Sequence, residues 1–167
     1  MKINLFVIMA LSVFSTLSYA KEPAMPDGWR LPKNDELADS WRSSDADHFA
    51  TVNGDFDGDK HSDQAKLLVK NDGTQFGVFV WLAKRPAAIS IYEEKDITAL
   101  HGMGIRLVKP TKVKTICGKG YDDCHSDEVK ELVISHDAID YFKTESANSY
   151  FYWDRSTKKF KRSWISD

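Results

Sequence analysis

The sequence predicts a mainly β fold of the β-rich α+β class: an antiparallel sheet of hairpins with one or two short helices. Three observations lead there. Short apolar runs recur along the chain, separated by turn residues such as Asn71-Asp72-Gly73. No long stretch keeps a helical period, and strands do not alternate with helices as a parallel sheet requires. The composition, 42% hydrophobic and 29% charged over 167 residues, is that of one folded domain and not of a disordered chain.

In chain order, Met1 to Ala20 reads as a secretory signal peptide. Lys2 gives the positive start, Leu5 to Leu17 is mostly apolar, and Ser18 and Ala20 put small residues at the cleavage positions. The apolar run is shorter than the roughly 20 residues of a spanning helix. The expectation is a periplasmic or secreted protein with no membrane span. Residues 21–34, with Pro23, Pro26 and Pro32, read as an extended lead-in, and 35–167 as a single β-rich domain. Asn34 or Asp35 is placed to cap a short helix through about Trp41.

The strands follow. Phe49 to Val52 is a short one. Ala65 to Val69 and Gln75 to Ala83 form a hairpin about Asp72-Gly73. The return run from Phe76 to Leu82 is apolar on both faces, which predicts a central, doubly covered strand. Ile89 to Tyr92 and Ile105 to Val108 are further strands, the second ended or set at a sheet edge by Pro110. Leu132 to Ser135 is expected to pair with Ile139 to Phe142, and Tyr150 to Trp153 with Phe160 to Ile165.

An exported chain is exposed to oxidation, so Cys117 and Cys124 are expected to form a disulfide. A metal site using His125 beside Cys124 lacks a recognisable zinc spacing. A net charge of -2 argues against nucleic-acid binding, which needs a basic balance.

The chemistry concentrates in Asp55-Phe56-Asp57-Gly58-Asp59-Lys60-His61-Ser62-Asp63. Alternate aspartates in a tight loop can aim several carboxylates at one centre, and calcium takes oxygen ligands of this kind. Gly58 allows the backbone to curl between them. Four carboxylates held this close repel one another unless a cation joins them or they splay into water. The alternative is therefore an acidic surface turn without metal. The loop is not an EF-hand, because the position of the closing glutamate holds Lys66 and the flanks read as strands.

From Gly54 to Asp59, with Asp63 and the apolar strand after it, the segment resembles the calcium loop of FG-GAP and VCBS-type repeats. The resemblance spans about residues 52–69. It implies a calcium cofactor held by Asp55, Asp57, Asp59, Asp63 and the carbonyl of His61. The family commonly has glycine where this chain has Lys60. The repeats usually build β-propeller blades, but the motif occurs once here, so no full propeller is expected.

Tyr150, Tyr152, Trp153 and Trp164 are candidates for a binding face. Strand alternation separates Tyr150 and Tyr152 from Phe151 and Trp153, so one set belongs to the core. His101-Gly102-Met103-Gly104 has no serine elbow to serve as an oxyanion loop. The functional expectation is a calcium-braced binding protein without catalytic activity, of the periplasmic inhibitor or immunity type, with a protein partner in the envelope. The alternatives are an envelope-polymer hydrolase and a glycan-binding module.

Overall fold

The computed structural model describes residues 23–42, 48–126 and 128–166. The signal peptide read at residues 1–20 lies outside them. The fold is mainly β and antiparallel, and the described residues form neither a closed barrel nor a propeller.

One sheet contains β1 (Trp29–Arg30), β2 (Thr51–Gly54), β3 (Asp63–Lys70), β4 (Phe76–Trp81) and β5 (Ile89–Glu94). Its order is β1-β3-β4-β5, with β2 also paired to β3. The second sheet contains β6 (Met103–Val108), β9 (Ala138–Lys143), β10 (Asn148–Asp154) and β11 (Lys159–Ser166), in the order β11-β10-β9-β6. A two-stranded ribbon joins β7 (Thr111–Lys114) to β8 (Glu131–Ile134). Among the described residues, helical structure is limited to α1 (Asn34–Leu37), α2 (Ile116–Lys119) and two 3-10 turns, Ser40–Arg42 and Ile97–Gly102.

The side-chain alternation of each strand decides what it covers. Val52, Leu67, Val78 and Val80 of the first sheet share one buried core with Ile105, Ile139 and Phe151 of the second. The two sheets therefore close on each other. All six residues of β4 are buried, as its two-sided apolar pattern predicts. The outer face, with Leu68 of β3 and Phe79 and Trp81 of β4, is covered by Trp29 and Ala88. The Trp29 and Phe79 rings lie 4.6 Å apart. Trp81 Nε1 donates to the carbonyl of Ala24 at 3.0 Å, so the lead-in is a lid over this face. The outer face of the second sheet packs Tyr150, Tyr152 and Ile165 against Leu132 and Ile134 of the ribbon. Each side chain of this size removed from water is worth roughly 1.5–3 kcal/mol.

Two sequence expectations are corrected. Leu132–Ser135 and Ile139–Phe142 do not form a hairpin. β8 pairs with β7, while β9 is flanked by β6 and β10. The chain crosses from ribbon to sheet at His136-Asp137, because both edges of β9 are already occupied. The helix expected through Trp41 is broken after Leu37 and resumes as the 3-10 turn from Ser40. Lys33, not Asn34 or Asp35, is its N-cap residue.

Glu36 secures that first turn. Arg30 donates from Nη1 and Nη2 to its two carboxylate oxygens at 2.7 Å each, and the Lys33 backbone N–H donates at 2.7 Å. The Arg30 hydrogen bonds, ahead of the Lys33 bond, hold the Glu36 carboxyl at about 2, below its ordinary 4.5. A depressed folded pKa stabilises the fold fully above the unfolded value, and that contribution is lost as pH falls towards the folded one. The melting temperature should therefore fall between pH 4.5 and 2 in part through this group, and Glu36→Gln should flatten that portion of the curve.

Candidate metal centre

The acidic segment is the connection of the β2–β3 hairpin. Gly54 and Asp63 are cross-strand partners, and the residues between them form the loop. Phe56 is fully buried in the main core and anchors the loop from inside. Gly58 has φ +74°, the left-handed region its lack of a Cβ permits. Lys60, where the resembled family commonly has glycine, also has a positive φ, of 69°. That conformation costs a non-glycine residue about 1–2 kcal/mol.

The loop folds by turning its carboxylates onto its own backbone. Lys60 N–H donates to Asp55 Oδ2 at 3.0 Å, Asp59 N–H to Asp57 Oδ1 at 3.1 Å, and His61 N–H to Asp59 Oδ1 at 2.8 Å. Asp63 is 2% exposed. Its Oδ2 accepts from Phe56 N–H and its Oδ1 from Ala83 N–H, both at 2.8 Å. Burial pushes the Asp63 carboxyl above the ordinary value, the two N–H donors oppose this, and the Asp57 charge adds to the rise.

Three of the four aspartates converge. Asp55, Asp57 and Asp63 each bring a carboxylate oxygen to within 4.8 Å of the others. Oxygens bound to one calcium at about 2.3–2.6 Å lie within about 5 Å of one another, so this spacing fits that ion. Asp55 Oδ1 is buried and accepts no hydrogen bond. An uncompensated buried carboxylate oxygen is costly, and a bound cation would satisfy it. Asp59 is oriented otherwise: its Oδ2 pairs with Lys84 Nζ at 3.1 Å and its Oδ1 lies 3.1 Å from His61 Nδ1.

Residues remote in sequence complete the surroundings. Asp137 Oδ2 accepts from Asp55 N–H at 3.0 Å and pairs with Lys109 Nζ at 3.1 Å. A Cβ on Gly58 would lie 2.3 Å from Arg155 Nη2 and 2.8 Å from His136 Cδ2. Burial first, then Arg155, holds the His136 imidazole below its ordinary pKa, against the pull of Asp55, Asp57 and Asp137. No local spacing links His136, Asp137 or Arg155 to the loop. Only the path from β8 into β9 and the turn between β10 and β11 bring them there.

The other candidate residues lie apart from this centre. Cys117 and Cys124 form a disulfide with a Cα–Cα separation of 5.0 Å, at α2. The four aromatics named as a binding face do not form one surface. Tyr150 and Tyr152 pack in the cluster beneath the ribbon. Trp153 is 7% exposed on the opposite, inner face, between Phe160 and Arg85. Trp164 is 43% exposed.

Comparison with protein-family models, with curated proteins and with solved structures finds no match for this chain.

Two loop substitutions should move stability in opposite directions. Gly58→Ala should destabilise by about 1–2 kcal/mol or more, since it adds left-handed strain to the collision with Arg155. Lys60→Gly removes a left-handed cost of about 1–2 kcal/mol and returns about 0.5–1 kcal/mol of freedom to the unfolded chain. Its net effect should be a gain of roughly 0.5–1 kcal/mol in urea denaturation.

Proposed function

We propose that the protein is an exported, calcium-braced binding protein that catalyses no reaction, acting as an inhibitor or immunity-type protein on a protein partner in the cell envelope. The observation that carries the calcium assignment is the buried, unsatisfied Asp55 Oδ1 beside the clustered oxygens of Asp57 and Asp63. Asp55, Asp57 and Asp63 would hold the ion, and the ion would supply the positive charge that three converging carboxylates lack. The likeness of Gly54 to Asp63 to the FG-GAP and VCBS calcium loop supports the same choice of metal.

The use already made of these carboxylates supports a structural role. Asp63 commits both oxygens to backbone N–H groups, one in the loop and one beyond β4. Asp55 and Asp57 close turns of their own loop. A metal held there stiffens a hairpin and has no need of a substrate. The disulfide between Cys117 and Cys124 agrees with an oxidising compartment, as does the leader-like run at the N-terminus.

The test is a thermal melt of the oxidised protein in excess calcium and then in chelator. A native-state ligand at about 100 times its dissociation constant adds roughly 2.7 kcal/mol, or about 5–10 °C for a domain of this size. That rise should appear with calcium and vanish in Asp57→Asn. Identical melts with millimolar calcium and with chelator would refute the assignment.

A further inference from the structure

A cleft of about 230 Å³ opens where the end of β5 meets β9 and β11. It shares no residue with the acidic loop. Its walls are apolar: Tyr92, Ala99, Met103, Tyr141 and Trp164. One cation stands among them. The Arg162 guanidinium lies 4.8 Å from the Tyr92 ring centre, 5.4 Å from Tyr141 and 4.1 Å from Trp164. Arg162 Nε donates to Ser149 Oγ at 2.8 Å, and Ser149 is fully buried, which fixes the plane of the head group.

Among the described residues Arg162 forms no ion pair. The acid at the rim is committed elsewhere: Glu94 accepts from Tyr92 Oη at 2.7 Å and from the backbone N–H groups of Lys95 and Asp96. Lys143 adds a second cation to the lining, so the cleft holds two cations against one carboxylate. Burial pushes the Tyr92 and Tyr141 hydroxyls above their ordinary pKa, so neither competes as an anion for the guanidinium.

An aromatic-walled cleft with one oriented, partly shielded guanidinium suits an apolar ligand that ends in a planar anion. Arginine is the side chain best shaped to take a carboxylate by two parallel hydrogen bonds. Size sets the body of the ligand: a cavity of about 150 Å³ accepts benzene, so this one has room for a phenyl ring and a short tail. We infer that the cleft is a binding site for a small carboxylate carrying an apolar body of phenyl size, seated on Trp164 and Tyr92 with its carboxylate on Arg162.

The test is calorimetric titration of the whole protein with 3-phenylpropionate and, separately, with the neutral 3-phenylpropionamide. The carboxylate should bind about tenfold or more tightly than the amide. Arg162→Gln should remove that difference, and Ala99→Leu, which narrows the cleft from another wall and leaves Arg162 in place, should abolish binding of both. Equal affinity for acid and amide would overturn recognition by Arg162, and absence of binding by either at millimolar concentration would overturn the site. Should Arg162→Gln fail to fold, the wild-type comparison and Ala99→Leu decide between these outcomes. Calcium dependence of the melt plays no part in either result.

Discussion

Asp63 is 2% exposed, and its carboxylate accepts backbone N–H groups from two separate segments, Phe56 in the loop and Ala83 beyond β4. A buried carboxylate is tolerated only when its oxygens are paired. Here the pairing also sets the geometry. It fixes the depth at which Phe56 enters the core and the point at which the chain leaves β4. The positions of Asp55 and Asp57 follow, because their oxygens are held by N–H groups within the same loop. The resulting concentration of negative charge is what a divalent cation would offset.

The rest of the fold fits around that hairpin. β3 is its second strand and also the partner of β1 and β4, so the loop sits at the start of a central strand. Across the sandwich, Asp137 holds the Asp55 N–H while Arg155 and His136 press on Gly58. Both sheets thus meet at the acidic loop, and a brace there would couple the first hairpin to the start of β9 and the β10–β11 turn. The disulfide does a separate, local job. Thr115 caps α2, and Gly118 packs so closely on Lys130 that a Cβ would lie 1.7 Å from its carbonyl oxygen. This closes the ribbon that covers the second sheet.

Much of this architecture was legible because it is written in short-range pattern. The run from Phe76 to Leu82 announced a doubly covered strand, Asp72-Gly73 its turn, and alternate aspartates around Gly58 a loop with convergent carboxylates. Strand pairing was less legible. Leu132 to Ile134 has the alternation of a strand, yet its partner is Thr111–Lys114, on the far side of the segment that α2 and the disulfide close. His136, Asp137 and Arg155 were invisible as site residues because their approach to the loop depends on tertiary pairing. The C-terminal aromatics show the same limit: alternation separated Tyr152 from Trp153, but only the β10–β11 register set Trp164 beside Ser149 and Arg162 beside Phe151. The cleft around Arg162 draws on β5, β9 and β11, and no local spacing joins them.

A cation held by Asp55, Asp57 and Asp63 would make the β2–β3 loop the rigid junction of the two sheets. Amide hydrogen exchange, followed residue by residue with and without calcium, tests it most directly. Calcium should slow exchange at the Asp55, Phe56, Asp59 and Lys60 amides and at Ala83, with β7 and β8 unchanged. Exchange at those five amides that is the same at saturating calcium and in chelator would contradict it, and would leave the loop an acidic turn held by its own hydrogen bonds.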